Sequence, residues 1–249
     1  MYFLFILSIT LVYIKHGNCY KIPKPAEFCS TTLKSSFINI PHIREIIIDL
    51  SNQNQNQNQN RLQECDYKVI TSAILAYYFH DITNNNNLWV TVPEYQSPQG
   101  ENVRPDYTLM LVHINPFGLK IYAVIEVKSK SGDSWDKLLK QLYEQAERAI
   151  NVSEVIGRVW VIGQKGFEIC LFKFNSQKYK DQDPDLYTFF EPLNLNNFSQ
   201  PQLDHLGIKY KTCNDNGFDR IALIKWRLDN INHIPYIHDM FEHMKRFNP

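Results

Sequence analysis

Three side chains in two short pieces of this chain have the types and spacing for metal-assisted hydrolysis. Arg104-Pro105-Asp106 opens one β-like run, and Glu126-Val127-Lys128 closes the next. Asp106 and Glu126 offer the hard carboxylate oxygens that Mg²⁺ prefers. Lys128 lies two residues beyond Glu126, so both project from the same face of a strand, where side chains alternate with period two. Held together by neighbouring strands, such a trio can bind a metal, polarise a phosphodiester and activate a water.

Each piece also has an ordinary reading. Pro-Asp is a common turn dipeptide. Glu126 sits in Ile121-Tyr122-Ala123-Val124-Ile125-Glu126-Val127, apolar enough for a central strand buried on both faces. A carboxylate buried there is costly unless it is paired or metal-bound, and a Glu126–Lys128 pair at the strand end meets that requirement as well. The joint pattern is more specific than its parts: Pro-Asp, a turn, Glu-x-Lys, and then an amphipathic helix.

The elements that must position these groups follow from periodicity and breakers. Arg61 to His80 reads as a helix, with Leu62, Cys65, Val69, Ala73 and Ala76 at three- and four-residue steps. Leu88–Tyr95, Val103–Ile114 and Lys120–Lys130 read as strands, punctuated by Ser97-Pro98-Gln99-Gly100 and Asn115-Pro116-Phe117-Gly118. After Gly132-Asp133-Ser134, a helix runs over about 135–151, its apolar stripe made of Trp135, Leu138, Leu139, Leu142, Ala146, Ala149 and Ile150. Val159–Ile162 and Phe167–Phe174 form a hairpin through Gly163-Gln164-Lys165-Gly166. The order helix, three strands, helix, two strands argues an α/β fold with helices on both sides of one mixed sheet. Beyond Asn175, a polar stretch over Gln177–Asp185 precedes a strand around Ile221–Leu228 and an amphipathic helix around Tyr236–Phe247.

Met1–Cys19 reads as a signal peptide: Tyr2–Ile14 is apolar, too short to span a bilayer, and ends near the small residues Gly17 and Cys19. That implies secretion, with a nuclear or cytoplasmic location as the alternative. Residues 20–60 form an N-terminal segment whose alternating Asn/Gln run, Asn52–Asn60, is too polar to offset its ordering entropy and is expected to be disordered. Cys29, Cys65, Cys170 and Cys213 are irregularly spaced, without a CxxC zinc pattern. Twenty-six basic and 26 acidic residues balance to zero, so bulk charge does not favour a polyanionic partner; a nucleic-acid binder of this composition needs a local basic groove. GxSxG, GxxxxGK[ST], HExxH and GxGxxG are all absent.

Over residues 61–175 the arrangement resembles the PD-(D/E)XK, or restriction-endonuclease-like, nuclease superfamily, whose motif positions match at Asp106, Glu126 and Lys128. The resemblance implies a mixed sheet flanked by helices in the order αβββαβ, with residues 176–249 as a C-terminal extension. It implies Mg²⁺ or Mn²⁺ as cofactor and DNA or RNA as substrate and partner. Asp106, Glu126 and the backbone carbonyl of Val127 are then the metal ligands, and Lys128 orients the attacking water. Related nucleases carry a glutamine on the helix after the lysine, for which Gln141 and Gln145 are the candidates; both read equally as a solvated helix edge. A third acidic ligand falls to Glu64 on the first helix or to Glu94 before Pro105, and His80 matches a histidine of some viral relatives but reads equally as a helix-end residue. The alternative is a catalytically inactive module that keeps the fold and binds nucleic acid or protein.

Overall fold

The computed structural model describes residues 36–55, 62–80, 88–95, 104–114, 117–152, 158–176, 190–192, 210–215 and 218–246. The expected leader, the Ser97–Gly100 turn and the Gln177–Asp185 stretch lie outside them. Among the described residues no helix is long and apolar enough to cross a membrane.

A central sheet runs in the order β1 (Leu88–Pro93), β2 (Tyr107–Ile114), β3 (Phe117–Lys128), β4 (Arg158–Lys165), β5 (Glu168–Asn175) and β6 (Phe190–Pro192). The pairing is antiparallel except between β3 and β4, which are parallel and joined through α3 (Trp135–Val152). Near the chain end, Trp226–Arg227 also pairs with β5. The sheet is therefore mixed and flanked by helices, as the pattern of elements implied.

Its two faces carry different helices. On one side α1 (Pro41–Gln55), α2 (Glu64–Tyr78) and a C-terminal helix, α4 (Ile234–Arg246), cover Leu109, Ala123, Ile125, Val127, Trp160 and Ile162. On the other, α3 lays Leu138, Leu142, Ala146 and Ile150 against Val124, Val161 and Phe172. Each fully buried leucine of that stripe contributes about 1.5–3 kcal/mol. Ser134 starts α3 by accepting a hydrogen bond from the Lys137 amide (3.2 Å). The expected C-terminal extension closes onto the same core: Phe241 of α4 stacks on Tyr78 of α2, with ring centroids 4.7 Å apart.

Several boundaries differ from the sequence expectation. Strand β2 begins at Tyr107, so Asp106 precedes the ladder rather than opening it. Helix α1 runs through Gln55, which makes the start of the Asn/Gln tract helical; its remainder is outside the described residues. The β4–β5 turn is shorter than Gly163–Gly166, because Gly163–Lys165 stay in the ladder. The late strand is interrupted: β8 (Phe218–Ile224), which pairs with β7 (Tyr210–Asp215), ends before β9 (Trp226–Arg227).

The largest correction concerns α2. Cys65 and Val69 of the expected stripe are exposed, and Tyr67, Ile70, Thr71, Ile74, Leu75 and Tyr78 are buried. The helix is apolar on most sides, which leaves its phase ambiguous in sequence. The aromatic residues remove the most area from water and decide which side turns inward.

Candidate active site

The site is built where β2 begins and β3 ends. Tyr107 pairs with Ile125, so Asp106 lies one step before the ladder and Glu126, Val127 and Lys128 extend past it on that edge. Register places Glu126 on the α3 side. Between Leu109 and Met110 the ladder shifts by one residue, leaving Tyr122 as an extra residue on β3. Tyr122 and Ala123 both face α2 and α4, whereas Val124 faces α3. One residue of slip moves every side chain of a strand to the opposite face, so this bulge fixes where Glu126 points.

Asp106, Glu126 and Lys128 are brought together. Asp106 Oδ2 accepts a hydrogen bond from the Val127 amide at 2.7 Å. Lys128 Nζ donates to Glu126 Oε1 at 2.6 Å. Gln145 Nε2, reaching from α3, donates to Glu126 Oε2 at 2.8 Å and to the Arg104 carbonyl at 3.2 Å. One glutamine thus ties the second carboxylate to the backbone two residues before the first. Gly166, at φ +62°, donates its amide to the Lys128 carbonyl at 2.8 Å, fixing the backbone at the lysine.

The other face contributes residues of α2. Lys68 Nζ lies 2.6 Å from Asp106 Oδ1 and 2.9 Å from Glu64 Oε1, and Glu64 Oε2 lies 3.8 Å from Lys128 Nζ. Helix α2 is pinned at this point. Tyr107 Oη donates to the Lys68 carbonyl at 3.0 Å, and Thr71 Oγ1 donates to Gln164 Oε1 on β4 at 2.5 Å.

The electrostatics follow from burial. Glu126 is only 4% exposed. Burial pushes its carboxyl above the ordinary carboxylate range and the negative charge of Asp106 adds to this, while the hydrogen bonds from Lys128 and Gln145 pull it part of the way back. Burial alone would lower Lys128, but its bond to Glu126 and the negative charges of Glu126, Glu64 and Asp106 together outweigh that and raise it. Lys68 is likewise lowered by burial and raised on balance by Asp106 and Glu64. Both lysines are therefore held as ammonium ions among three carboxylates.

Among the third-ligand candidates, Glu64 stands in this network. Glu94 does not: it is exposed in the turn after β1 at φ +46°, and its amide donates to the Asp106 carbonyl. Of the two glutamines, Gln145 touches Glu126. Gln141, one turn earlier, has Oε1 buried with no hydrogen-bond partner among the described residues. His80 Nδ1 bonds the Tyr77 carbonyl at the end of α2. Lys68 escaped the sequence reading, although its spacing from Glu64 is the i,i+4 signal of a helical ion pair.

Among the described residues no three His, Cys, Asp or Glu side chains converge as a metal cluster. The donors nonetheless suit Mg²⁺, which takes one or two carboxylates and keeps several waters. Asp106 and Glu126 are both carboxylates. Val127 directs its amide to Asp106, and in a strand the carbonyl of the same residue projects to the same edge. Three hard oxygen donors thus lie beside a lysine. Comparison of the chain with protein-family models, with curated proteins and with solved structures found no match. The fold and site define an α/β protein with two carboxylates and a lysine gathered at one end of its central strand.

Proposed function

We propose that the protein is a metal-dependent nuclease of PD-(D/E)XK type, with a restriction-endonuclease-like core running from α2 to β4. The observation that carries this reading is the meeting of Asp106, Glu126 and Lys128 at the paired ends of β2 and β3, with Lys128 Nζ 2.6 Å from Glu126. The order α2-β1-β2-β3-α3-β4 supports it.

In this reading Asp106, Glu126 and the Val127 carbonyl hold Mg²⁺ or Mn²⁺. The ion, when bound, supplies Lewis-acid polarisation of a phosphoryl oxygen and lowers the pKa of water. The chain supplies position and charge. Val127 fixes Asp106 through its amide, and Gln145 holds the Glu126 carboxylate in one rotamer. Lys128 orients the attacking water and offsets negative charge growing on the phosphorus oxygens. Substrate is DNA or RNA, and a signal-like Met1–Cys19 would deliver the enzyme to extracellular nucleic acid or to another cell.

The test is cleavage of labelled DNA and RNA by the purified protein with Mg²⁺, with Mn²⁺ and with EDTA, beside Lys128→Ala. Metal-dependent cutting that falls by about 10²-fold or more in the variant is expected. One observation favours a second reading, an idle module that keeps the fold: Lys68 and Lys128 already pair with Asp106 and Glu126. Absence of cutting by folded protein that binds Mn²⁺ would select that reading.

A further inference from the structure

The nuclease reading leaves Lys68 without a part, yet its Nζ lies 2.6 Å from Asp106 Oδ1. Its ammonium bridges Asp106 Oδ1 and Glu64 Oε1, while the other Asp106 oxygen takes the Val127 amide. Both oxygens of the first expected metal ligand are therefore engaged. An ammonium and a divalent cation cannot share one carboxylate oxygen at contact distance without strong repulsion. The backbone of Lys68 is fixed beside the site, so the ammonium can leave Asp106 only by swinging its side chain. The Lys68 carbonyl is held by Tyr107, the residue after Asp106, and the next turn of α2 is held by Thr71 on Gln164.

Charge counting gives the consequence. Asp106, Glu126 and Glu64 carry three negative charges against the two positive charges of Lys68 and Lys128. Losing the Lys68 charge doubles the net negative charge that faces an incoming cation. We infer that Lys68 is a tethered competitor for the divalent cation at Asp106, a positioning residue that sets the metal affinity of the site and must turn aside for loading. This rests on the nuclease reading for the identity of the ligands. It adds a threshold: the site fills only where free divalent cation is abundant enough to displace an internal ammonium.

The experiment is calorimetric titration of Mn²⁺ into the full-length wild type, Lys68→Met, Lys68→Gln, Lys68→Arg and Asp106→Asn, with circular dichroism confirming fold. Lys68→Gln keeps a hydrogen bond to Asp106 without the charge, and so reports even if the methionine variant does not fold. Both neutral variants are expected to bind Mn²⁺ about tenfold more tightly or better, a conservative share of the Coulomb repulsion removed. Lys68→Arg, which keeps the charge, should stay near wild type, and Asp106→Asn should weaken binding. If Asp106→Asn weakens binding but the neutral Lys68 variants bind no tighter than wild type, the competitor role is overturned and the metal site stands. If no protein in the set binds Mn²⁺, both the competitor role and the nuclease reading fail.

Discussion

At the scale of single residues, the site is a balance of buried charge. Glu126 is expensive as a carboxylate because it is buried and because Asp106 repels it, so its proton affinity is raised. In the metal-free protein the Glu126 carboxyl should therefore titrate above the ordinary glutamate value of about 4.3. Carboxyl NMR of Glu126 checks this apart from activity: in Asp106→Asn its titration should move to lower pH, because the repelling charge is gone while the bond to the Val127 amide can persist. The two glutamines make a second residue-scale prediction. Gln145→Ala strips a donor from a buried carboxylate and should slow cleavage about tenfold or more, whereas Gln141→Ala should stay within about twofold of wild type. Equal losses in single-turnover assays would show that the Gln145–Glu126 bond is not what matters.

At the scale of elements, the site depends on how closely α3 lies on β4. Gly163 pairs with Glu126 across the parallel ladder, and a Cβ there would meet Leu138 at 2.8 Å, Leu142 at 3.1 Å and Trp135 at 3.2 Å. Leu138 and Leu142 are fully buried and have no room to yield. Gly163→Ala should therefore destabilise the protein by about 1–3 kcal/mol, the usual cost of overpacking, measured by denaturant unfolding. It should also lift Gln145 away from Glu126 and depress activity more than stability alone explains. Unchanged unfolding and cleavage would mean that α3 tolerates displacement. Helix α2 has the complementary part, presenting Glu64 and Lys68 along one stripe while Tyr67, Ile70 and Ile74 anchor it.

At the scale of the whole molecule, stability rests on closure of α4 over α2 and the sheet. His238 Nδ1 meets Tyr78 Oη at 2.8 Å inside this contact, and Tyr122 Oη donates to the Met244 carbonyl. Burial lowers His238, against the pull of Glu242 and Asp239 and with help from Lys245 and Arg246. A histidine depressed in the folded state is protonated more readily in the unfolded chain. Its contribution is fully present above about pH 6.5 and is lost as pH falls below that value toward its folded pKa. The melting temperature should accordingly drop between pH 7 and pH 5, and His238→Gln, which cannot titrate, should show a shallower drop. His243, also lowered by burial, leaves some slope in the variant. An identical slope in variant and wild type would place the pH sensitivity elsewhere.

Much of this was legible locally. The trio Asp106, Glu126 and Lys128, the run of strands and the α3 stripe depend on spacings of two and of three to four residues, which a chain carries wherever it folds. The choice of Glu64 over Glu94, Gln145 over Gln141, and the presence of Lys68 were not legible. Each depends on the rotation of a helix or the register of a strand, and those are decided by packing between distant segments. Helix α2 turned on the burial of Tyr67 and Tyr78, not on the stripe that its smaller residues suggested. One extra residue at Tyr122 decided which helix Glu126 meets. The sequence by itself determined which groups could do chemistry; only tertiary packing decided which of their neighbours would hold them, because side-chain direction is set by contacts far apart in the chain.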